Sequence, residues 1–433
     1  MAGSTAVNKG MEPYRNRWLW NQCFYEGFSD IGQQIMNTRL AVFATHPIQY
    51  QVPIWRALAE TPWLDVIVYY FSDHSVRGGL DEDFGVPVAW DIPLLDGYKS
   101  VFIARNTKFR QHTNIKIRNV KSLLREGRYH YVFLQGYTHV FERQVLSASR
   151  SLGIKVIMRG EFSTMKKNRG LLKTYLRRQY LKWFYSHVDA FCYIGTDAKQ
   201  HLEAFDIPEE KLFFSPYCVD TARFLAQSSG YNRASTRQLL GLADNHFTFL
   251  FSGKLIPRKE ILLLLDALEQ LPCNDNVALI VLGDGPLKSQ VIKRGVNLLG
   301  SRFLFKGFVN QTKLGQYFLA SDVFVLPSYY ETWGLVVNEA MQFGLPVIVS
   351  DMVGCYPDLV PDGITGFVFP SGNSRALASC MQRLIQNPEL SKQLGAQALR
   401  RISGFTVQSA IDGILETIGT RAQESCKSAA TAN

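Results

Sequence analysis

Two glutamates, Glu331 and Glu339, are the residues whose spacing and surroundings most strongly suggest a ligand-binding or catalytic site in this chain. The apolar run at 322–327 predicts a short buried strand, and residues 334–342 predict a helix that ends before Pro346. Glu331 therefore follows the carboxyl end of a strand, where open α/β sheets bind ligands. Glu339 lies further along the helix, whose unpaired first-turn N–H groups favour a phosphate or a developing oxyanion.

This pair of carboxylates suits a ligand that carries hydroxyl groups. An ionised carboxylate only accepts hydrogen bonds, so two of them at one cleft favour a hydroxyl-rich partner. Hydroxyls at two ends with phosphates between them describe a nucleotide-diphosphate sugar. The alternative is a solvated helix with two surface glutamates, and the spacing of the pair alone does not separate these interpretations.

A basic turn earlier in the chain suggests where a diphosphate would sit. Gly253 and Lys254 follow a predicted strand at 248–252, and Lys259 precedes a predicted helix at 261–270. Gly253 permits close backbone approach, and two ammonium groups beside a helix N-terminus favour phosphate. The alternative is a charged turn without a ligand.

A second glycine turn and one acidic run are relevant to nucleotide and metal binding. Gly283 and Gly285 follow the predicted strand at 278–282, which indicates either backbone room for a nucleotide or only a tight turn. The Asp-Glu-Asp run at 81–83 lies in the other half of the chain, away from the predicted nucleotide site. No metal site is expected.

Length and composition restrict the classes of protein that fit. The chain has 433 residues, which predicts two domains, and a net charge of +10, which admits nucleic acid, an anionic membrane or an anionic substrate. Its seven cysteines form no C-x-x-C pair, which argues against zinc and for a reducing compartment such as the cytoplasm. No apolar run reaches the length of a membrane span. Residues 1–35 are predicted to be a disordered or extraneous leader.

Apolar runs alternate with amphipathic segments, and this order repeats in the two halves of the chain. Strands are predicted at 40–44, 66–71, 131–134, 155–158, 190–194, 212–215, 248–252, 278–282, 303–305, 323–326 and 347–350. Short buried strands that alternate with helices indicate parallel, doubly wound sheets. We therefore predict an α/β protein with two Rossmann-like domains that face each other across a cleft.

The segment from Ser328 to Pro346 contains the pattern S-x-x-E-x-W-G-x-x-x-x-E-A-M-x-x-G-x-P-V, and it closely resembles glycosyltransferase family 4, the retaining enzymes of the GT-B fold. The turn at 253–260 is similar to the family motif G-R-L-x-x-x-K-G, with Lys254 in place of the usual Arg and Glu260 in place of the usual Gly. The loop around Phe308 matches the family's loop near the nucleotide base. The resemblance is clear from about 247 to 370 and fainter before that.

This resemblance implies a role for each motif residue. Glu331 would contact hydroxyls of the donor sugar, and Glu339 would hold the nucleotide ribose. Lys254 and Lys259 would neutralise the leaving diphosphate, which removes the need for a metal or another cofactor. The donor would be UDP- or GDP-linked. Further donor contacts are expected from Gly253, Gly283, Gly285, Phe308, Thr332, Trp333, Gly334 and Leu335.

The resemblance also implies a division of the chain into domains. Residues 36–225 would form an acceptor-side Rossmann-like domain, and residues 226–404 would form the nucleotide-sugar-binding one. The polar stretch at 226–233 is predicted to be the hinge. A helix in 405–433 would cross back to the first domain and end in a frayed tail.

Three features of the first half concern the acceptor. His46 follows the first strand and is either a cleft hydrogen-bond donor near the diphosphate or acceptor, or a cap for the next helix. Glu161 and Arg159 also follow a strand and form either an acceptor-side pair or a surface ion pair. The basic, Leu- and aromatic-rich stretch at 166–184 either lies on an anionic membrane, as suits a lipid-linked acceptor, or buries its apolar stripe against the sheet.

The function expected from these observations is that of a retaining glycosyltransferase. It would move a sugar to a hydroxyl of a glycan, lipid-linked or small-molecule acceptor, as in cell-envelope or polysaccharide biosynthesis. It would work in the cytoplasm or peripherally at the inner face of the membrane, and no nucleic-acid partner is expected. Two alternatives stay open: a nucleotide-sugar epimerase on the same fold, and a non-catalytic nucleotide- or nucleic-acid-binding protein.

Overall fold

The structure is a computed structural model that describes residues 38–81, 86–103, 116–163, 170–272 and 275–430. The predicted leader at 1–35 lies outside these ranges, as do residues 166–169 of the basic stretch.

A parallel sheet forms the first half of the described chain. Its strands are β1 (Thr38–Ala44), β2 (Leu64–Tyr70), β5 (Lys99–Phe102), β6 (Tyr131–Leu134), β7 (Lys155–Arg159), β8 (Ala190–Tyr193) and β9 (Leu212–Phe214), and a separate antiparallel pair consists of β3 (Gly79–Asp81) and β4 (Val86–Val88). The seven strands follow the order β5–β2–β1–β6–β7–β8–β9. The inner strands are buried, so they appear as apolar runs in the sequence. The sequence does not predict β5, an edge strand whose residues alternate between exposed and half-buried.

Helices connect these strands. They are α1 (Val52–Ala59), α2 (His74–Arg77), α3 (Val120–Glu126), α4 (Val140–Ser151), α5 (Leu171–Tyr185) and α6 (Thr196–Glu203). Their buried faces cover both sides of the sheet, with Trp55 of α1 on one side and Phe141 of α4 on the other.

A second parallel sheet follows with the same relative topology. Its strands are β10 (Phe247–Ser252), β11 (Val277–Leu282), β12 (Phe303–Gly307), β13 (Val323–Leu326), β14 (Val347–Ser350) and β15 (Gly366–Phe369), in the order β12–β11–β10–β13–β14–β15. In both sheets the first strand lies between the second and the fourth, which is the Rossmann arrangement. Each sheet therefore has a topological switch point, between β1 and β6 and between β10 and β13. The prediction of two doubly wound sheets is confirmed.

The helices of the second half begin before its first strand. They are α7 (Thr221–Ser228), α8 (Arg233–Leu239), α9 (Ile261–Glu269), α10 (Lys288–Leu299), α11 (Leu314–Ala320), α12 (Leu335–Gln342), α13 (Tyr356–Leu359), α14 (Ser374–Gln386), α15 (Pro388–Ile402) and α16 (Val407–Ala430). Both α7 and α8 pack against α11. The predicted hinge at 226–233 is thus the end of one helix, a turn and the start of the next.

The last helix, α16, lies against the first sheet. It packs on α1, β8 and β9, and its Ala410, Ile414 and Ile418 are buried there. A Cβ on Gly413 would lie 1.9 Å from the carbonyl oxygen of Phe214, so glycine permits the close approach of helix and strand. This helix therefore returns to the first domain, and it continues to Ala430.

Candidate functional site

The loops at the two switch points carry most of the predicted site residues. The loop after β10 contains Gly253 and Lys259, and the loop after β13 contains Glu331. Because β10 and β13 are parallel neighbours, these loops leave the sheet at the same edge. The loop after β1, with His46 and Tyr50, occupies the equivalent position on the first sheet.

A network of backbone hydrogen bonds joins the glycine turns of the second sheet. Gly253 N donates to Leu282 O (3.0 Å), and Gly283 N donates to Gly307 O (2.7 Å). Gly283 has a φ of +132°, and a Cβ there would lie 1.9 Å from the Gly253 carbonyl oxygen. Gly285 has a φ of +152°, and a Cβ there would lie 2.7 Å from the Leu255 carbonyl oxygen. Glycine at 283 and 285 is therefore required by the packing of one loop on another.

Glu331 lies between two cations. The ammonium of Lys259 donates to its Oε2, and Arg258 Nη1 lies 3.4 Å from the same oxygen. Arg258 also donates to the carbonyl oxygen of Tyr330 (2.9 Å), which ties the two loops together. The Lys259 and Glu331 side chains are 12% and 14% exposed, so water screens their attraction only weakly. The sequence analysis did not assign a role to Arg258, although it belongs to the same basic turn.

The backbone around Glu331 is held in place on both sides. Its N–H donates to Met352 O (3.0 Å), and its carbonyl oxygen accepts from Gly354 N (2.9 Å). Gly334 has a φ of +95° and precedes the first residue of α12, Leu335. No side-chain hydrogen bond caps this helix, and Val337 N in its first turn donates to Gly334 O (2.8 Å). The N-terminus of the helix directly follows the loop that carries Glu331.

Glu339 lies inside α12, is 2% exposed and meets the other domain. Tyr50 Oη donates to its Oε1 (2.9 Å), across 289 positions of sequence. Burial raises the pKa of Glu339 to about 7, while the hydrogen bond from Tyr50, the charge of Arg223 and a hydrogen bond from Gln311 oppose that shift. None of these three partners of Glu339 was predicted, because each is distant from it in the sequence.

Trp333 is a packing residue at the contact between the domains. It is 3% exposed, and its Nε1 donates to Asn338 Oδ1 (2.9 Å). Its ring meets Tyr217 edge-on at 5.9 Å between centroids and Phe405 at 6.3 Å. Asn338 Nδ2 in turn donates to Tyr217 O (3.1 Å). The side chain of Trp333 is therefore enclosed by protein, unlike that of Thr332, which is partly exposed.

The other predicted donor residues lie around this centre. Lys254 is half-buried and follows Gly253, whose Cβ position would lie 3.9 Å from the aliphatic part of Lys259. Phe308, after β12, lies 6.2 Å from the ring of Trp90 in the first domain. His46 is half-buried, with Nδ1 3.0 Å from Thr45 Oγ1.

Two acceptor-side interpretations need correction: the helix-cap alternative for His46, and the pairing of Arg159 with Glu161. His46 does not cap the next helix, because α1 begins at Val52 with Gln51 at its N-cap. Arg159 donates to the carbonyl oxygens of Ser215 (3.1 Å) and Pro216 (2.8 Å), since it is 4% exposed and points into the domain. Glu161 instead accepts from Tyr217 Oη (3.2 Å). The predicted Arg159–Glu161 ion pair is therefore replaced by two separate contacts.

Additional contacts bring the two domains together. Asp358 accepts from the backbone N of Thr196 (3.1 and 2.9 Å) and from its hydroxyl (2.7 Å). Asn310 Nδ2 donates to Ala89 O (2.6 Å), and Thr312 N donates to Asp91 (3.3 and 3.2 Å). The switch-point loops of the two sheets are therefore held opposite each other.

The helix α5 has two different faces. Leu181, Phe184 and Tyr185 are buried against the sheet. The opposite face exposes large apolar side chains: Leu171 (93%), Leu172 (70%), Tyr175 (59%), Leu176 (57%) and Trp183 (50%). Four basic residues and no acidic ones lie on the helix: Lys173, Arg177, Arg178 and Lys182. The buried face agrees with the interpretation that the stretch packs an apolar stripe against the sheet, and the contact with an anionic membrane stays a prediction.

Within the described ranges, no group of three or more His, Cys, Asp or Glu side chains is arranged to hold a metal ion. Of the helices described, none combines the length and apolar character that a membrane crossing requires.

The fold is the GT-B fold. The chain superimposes on the Anabaena protein HepE in complex with UDP with a TM-score of 0.67, at 18% identity and over 89% of this chain and 100% of that one. Superposition on sucrose-phosphate synthase from Thermosynechococcus elongatus gives a TM-score of 0.65 at 19% identity, over 90% of this chain and 100% of that one. At these identities the likeness concerns the fold alone.

Sequence comparison finds a family match within the second half of the chain. Residues 232–401 match the model of glycosyl transferases group 1, which confirms the family resemblance for this part of the chain. D-inositol 3-phosphate glycosyltransferase of Streptomyces avermitilis is 34% identical over 185 residues, 40% of this chain and 39% of that protein. Phosphatidyl-myo-inositol mannosyltransferase of Mycobacterium leprae is 34% identical over 193 residues, which are 43% of this chain and 51% of that protein. The matches thus span about half or less of these relatives' lengths.

Proposed function

We propose that this protein is a glycosyltransferase that transfers a sugar from a nucleotide-diphosphate sugar to an acceptor hydroxyl, with retention and without a metal. The observation that carries the proposal is the convergence of Lys259, Arg258 and Glu331 at the switch point of the second sheet. A hydroxyl-binding carboxylate beside two cations and a helix N-terminus fits a sugar that is linked to a diphosphate. Glu339, deeper in the same helix, would accept from the ribose.

The chemistry follows from this arrangement. The bond between the anomeric carbon and the diphosphate oxygen breaks, and a bond from that carbon to the acceptor oxygen forms on the same face. The acceptor proton passes to the departing phosphate oxygen. Lys259, Lys254 and the first-turn N–H groups of α12 stabilise the charge that develops on the diphosphate. The contacts between the domains exclude water, which limits hydrolysis of the donor.

A screen of nucleotide sugars tests the proposal. UDP-, GDP- and ADP-sugars are added separately to the wild-type protein, and thermal unfolding is followed. A stabilised complex that transfers its sugar to an added acceptor supports the proposal. An altered sugar that stays linked to its nucleotide, with no acceptor present, favours the epimerase instead. If none of these donors stabilises the protein, the proposal is wrong.

The exposed face of α5 supports a lipid-linked acceptor at an anionic membrane. Leu171, Leu172, Tyr175 and Leu176 lie on one side of the helix and could enter the interface, while the basic side chains that flank them attract anionic headgroups. The names of two relatives include an inositol phosphate and a phosphatidylinositol, but their matched regions leave half of each protein uncompared. The proposal of a lipid-linked acceptor therefore depends on the exposed surface of α5 and not on these relatives.

Vesicle binding tests this part of the proposal. The wild type should sediment with vesicles of phosphatidylglycerol and phosphatidylcholine at low salt, less so at high salt, and hardly at all with phosphatidylcholine alone. The double variant Leu172→Glu/Leu176→Glu should lose most of this binding. The control is Leu239→Glu, since Leu239 is 77% exposed on α8 of the other domain. Equal binding by all three proteins, or none by the wild type, contradicts the membrane contact.

A further inference from the structure

Tyr50 joins the first domain to the carboxylate of Glu339 in the second. It belongs to the turn between β1 and α1, which is held by Gln51 N donating to Ile48 O (2.9 Å) and Val52 N donating to the same oxygen (3.1 Å). The turn is therefore anchored by a buried strand on one side and a helix on the other. Its phenol reaches the other domain, where Oη donates to Glu339 Oε1 (2.9 Å).

The environment of this hydrogen bond includes one further charged group close to Glu339. Arg223, on α7, faces both Tyr50 and Glu339 and is itself balanced by Asp220 and Asp91. Its Nη2 donates to Gln311 Oε1 (2.9 Å), so Gln311 connects Arg223 with the carboxylate. Burial, together with the charge of Glu339, raises the pKa of Tyr50 well above its ordinary value, so its hydroxyl stays protonated and acts as the donor.

We propose that Tyr50 is a positioning residue that completes the nucleotide-ribose site from the opposite domain, by donating a hydrogen bond that fixes the orientation of the Glu339 carboxylate. This inference rests on the proposed function. A carboxylate can accept about four hydrogen bonds. Tyr50 takes one position on Oε1 and Gln311 takes another, which leaves about two acceptor positions for ribose hydroxyls. The affinity for the nucleoside would then depend on the first domain as well as on the second.

Removal of the hydroxyl has a predictable sign. Tyr50 stabilises the ionised form of Glu339, so Tyr50→Phe should raise the pKa of Glu339, by about one unit for one charge-assisted hydrogen bond. Since only the ionised form accepts from both ribose hydroxyls, affinity should fall about fivefold at pH 7. At pH 8.5, where Glu339 is mostly ionised in both proteins, the difference should shrink to about twofold or less.

The experiment measures nucleoside diphosphate binding by calorimetry at pH 6.0, 7.0 and 8.5. UDP is the first probe, and GDP or ADP replaces it if the wild type prefers that base. The 2′,3′-dideoxy analogue of the same nucleotide is the second probe. It lacks the hydroxyls that Glu339 would bind, so its affinity should be equal in the wild type and in Tyr50→Phe. The control is Tyr129→Phe, which also loses a buried hydrogen bond (to Tyr69, 2.7 Å) but lies at the opposite edge of the first sheet.

The outcomes are distinct. A pH-dependent loss with UDP and none with the dideoxy probe supports the inference. Unchanged binding by Tyr50→Phe overturns it and leaves the proposed function intact, and tighter binding overturns it by showing that Tyr50 competes with the ribose. Equal losses with both probes indicate general loosening and also overturn it. If the wild type binds no nucleotide, both proposals fall.

A measurement on the wild type alone covers the case in which Tyr50→Phe folds poorly. The ratio of its affinities for UDP and for the dideoxy probe should rise as the pH passes through about 7, because Glu339 ionises there while the diphosphate ionises alike in both probes. A ratio that stays constant with pH would overturn the inference.

Discussion

The ammonium of Lys259 donates a hydrogen bond to Oε2 of Glu331, and both side chains are largely enclosed. The pair connects the loop after β10 to the loop after β13, on either side of the switch point. Removal of one partner leaves the other charge enclosed without its nearest counter-charge, which costs more than breaking a surface pair. When Lys259 is replaced, Arg258 can supply only part of the lost positive charge, because its Nη1 lies 3.4 Å from the same oxygen of Glu331.

The first prediction concerns this pair. Lys259→Met keeps most of the side chain's length and removes its charge, so it should lower the rate of sugar transfer by roughly 10²–10³-fold, the usual cost of losing a group that stabilises developing charge. The measurement is turnover together with thermal unfolding. The control, Lys392→Met, removes an ammonium that is 76% exposed and paired with Glu389. Transfer by Lys259→Met within twofold of wild type would count against the proposed site.

A second prediction concerns the glycine turns. Gly283→Ala places a Cβ where the Gly253 carbonyl oxygen lies, at a φ of +132°, so the two donor-side loops must separate. We expect a loss of about 2–4 kcal/mol in the free energy of unfolding and a clear loss of nucleotide affinity. Gly300→Ala is the matched control, because Gly300 has a φ of +56° and no atom within 4 Å of its Cβ position. Similar effects of the two substitutions would argue against loop packing as the reason for Gly283.

A third prediction separates packing from ligand binding at Trp333. Trp333→Phe removes the hydrogen bond to Asn338 and leaves a small cavity, so unfolding should become easier by about 2–4 kcal/mol. Nucleotide-sugar affinity should stay within about threefold, since the ring is enclosed by Tyr217 and Phe405. Denaturant unfolding and calorimetry measure the two effects, with Trp183→Phe, at a half-exposed tryptophan, as the control. A large loss of affinity without loss of stability would instead place Trp333 against the donor.

A fourth prediction concerns Glu142, a buried acid in the first turn of α4. Burial raises its pKa to about 7, although its carboxylate accepts from His139 N (2.7 Å). The folded state therefore holds a proton that the unfolded state releases near pH 4.5, and the free energy of unfolding should fall as pH rises from about 4.5 to 7.

Glu142→Gln tests this dependence. The amide keeps an acceptor oxygen but cannot ionise, so the variant should be more stable than the wild type by on the order of 2–3 kcal/mol at pH 8 and about equal to it at pH 4. Thermal unfolding across this range is the measurement. Glu126→Gln, at an exposed acid on α3, should follow the wild type. Parallel curves for wild type and Glu142→Gln would show that Glu142 titrates normally.

Most strands of the two sheets could be predicted because burial on both faces leaves a local signal, although β15 was not predicted. The predicted bounds of β13 and β14 match the structure, and those of β6 do too. The alternating edge strand β5 and the helices on either side of the predicted hinge carry no comparable signal. Their conformation depends on what they pack against, as α7 and α8 do on α11.

The sequence by itself was enough to predict the class of fold and to single out the two glutamates and the basic turn as candidate site residues. Strand order, loop position and residue type are properties that can be read locally along the chain. It also placed Glu260 where the family has Gly, and the structure gives the conformational meaning of that position, a left-handed φ of +54°. Only the tertiary structure decided the partners. Arg258 with Glu331 is a contact between two loops that come together only when β10 and β13 pair in one sheet. Tyr50 with Glu339 and Trp333 with Tyr217 are contacts that exist only after the two domains have packed against each other.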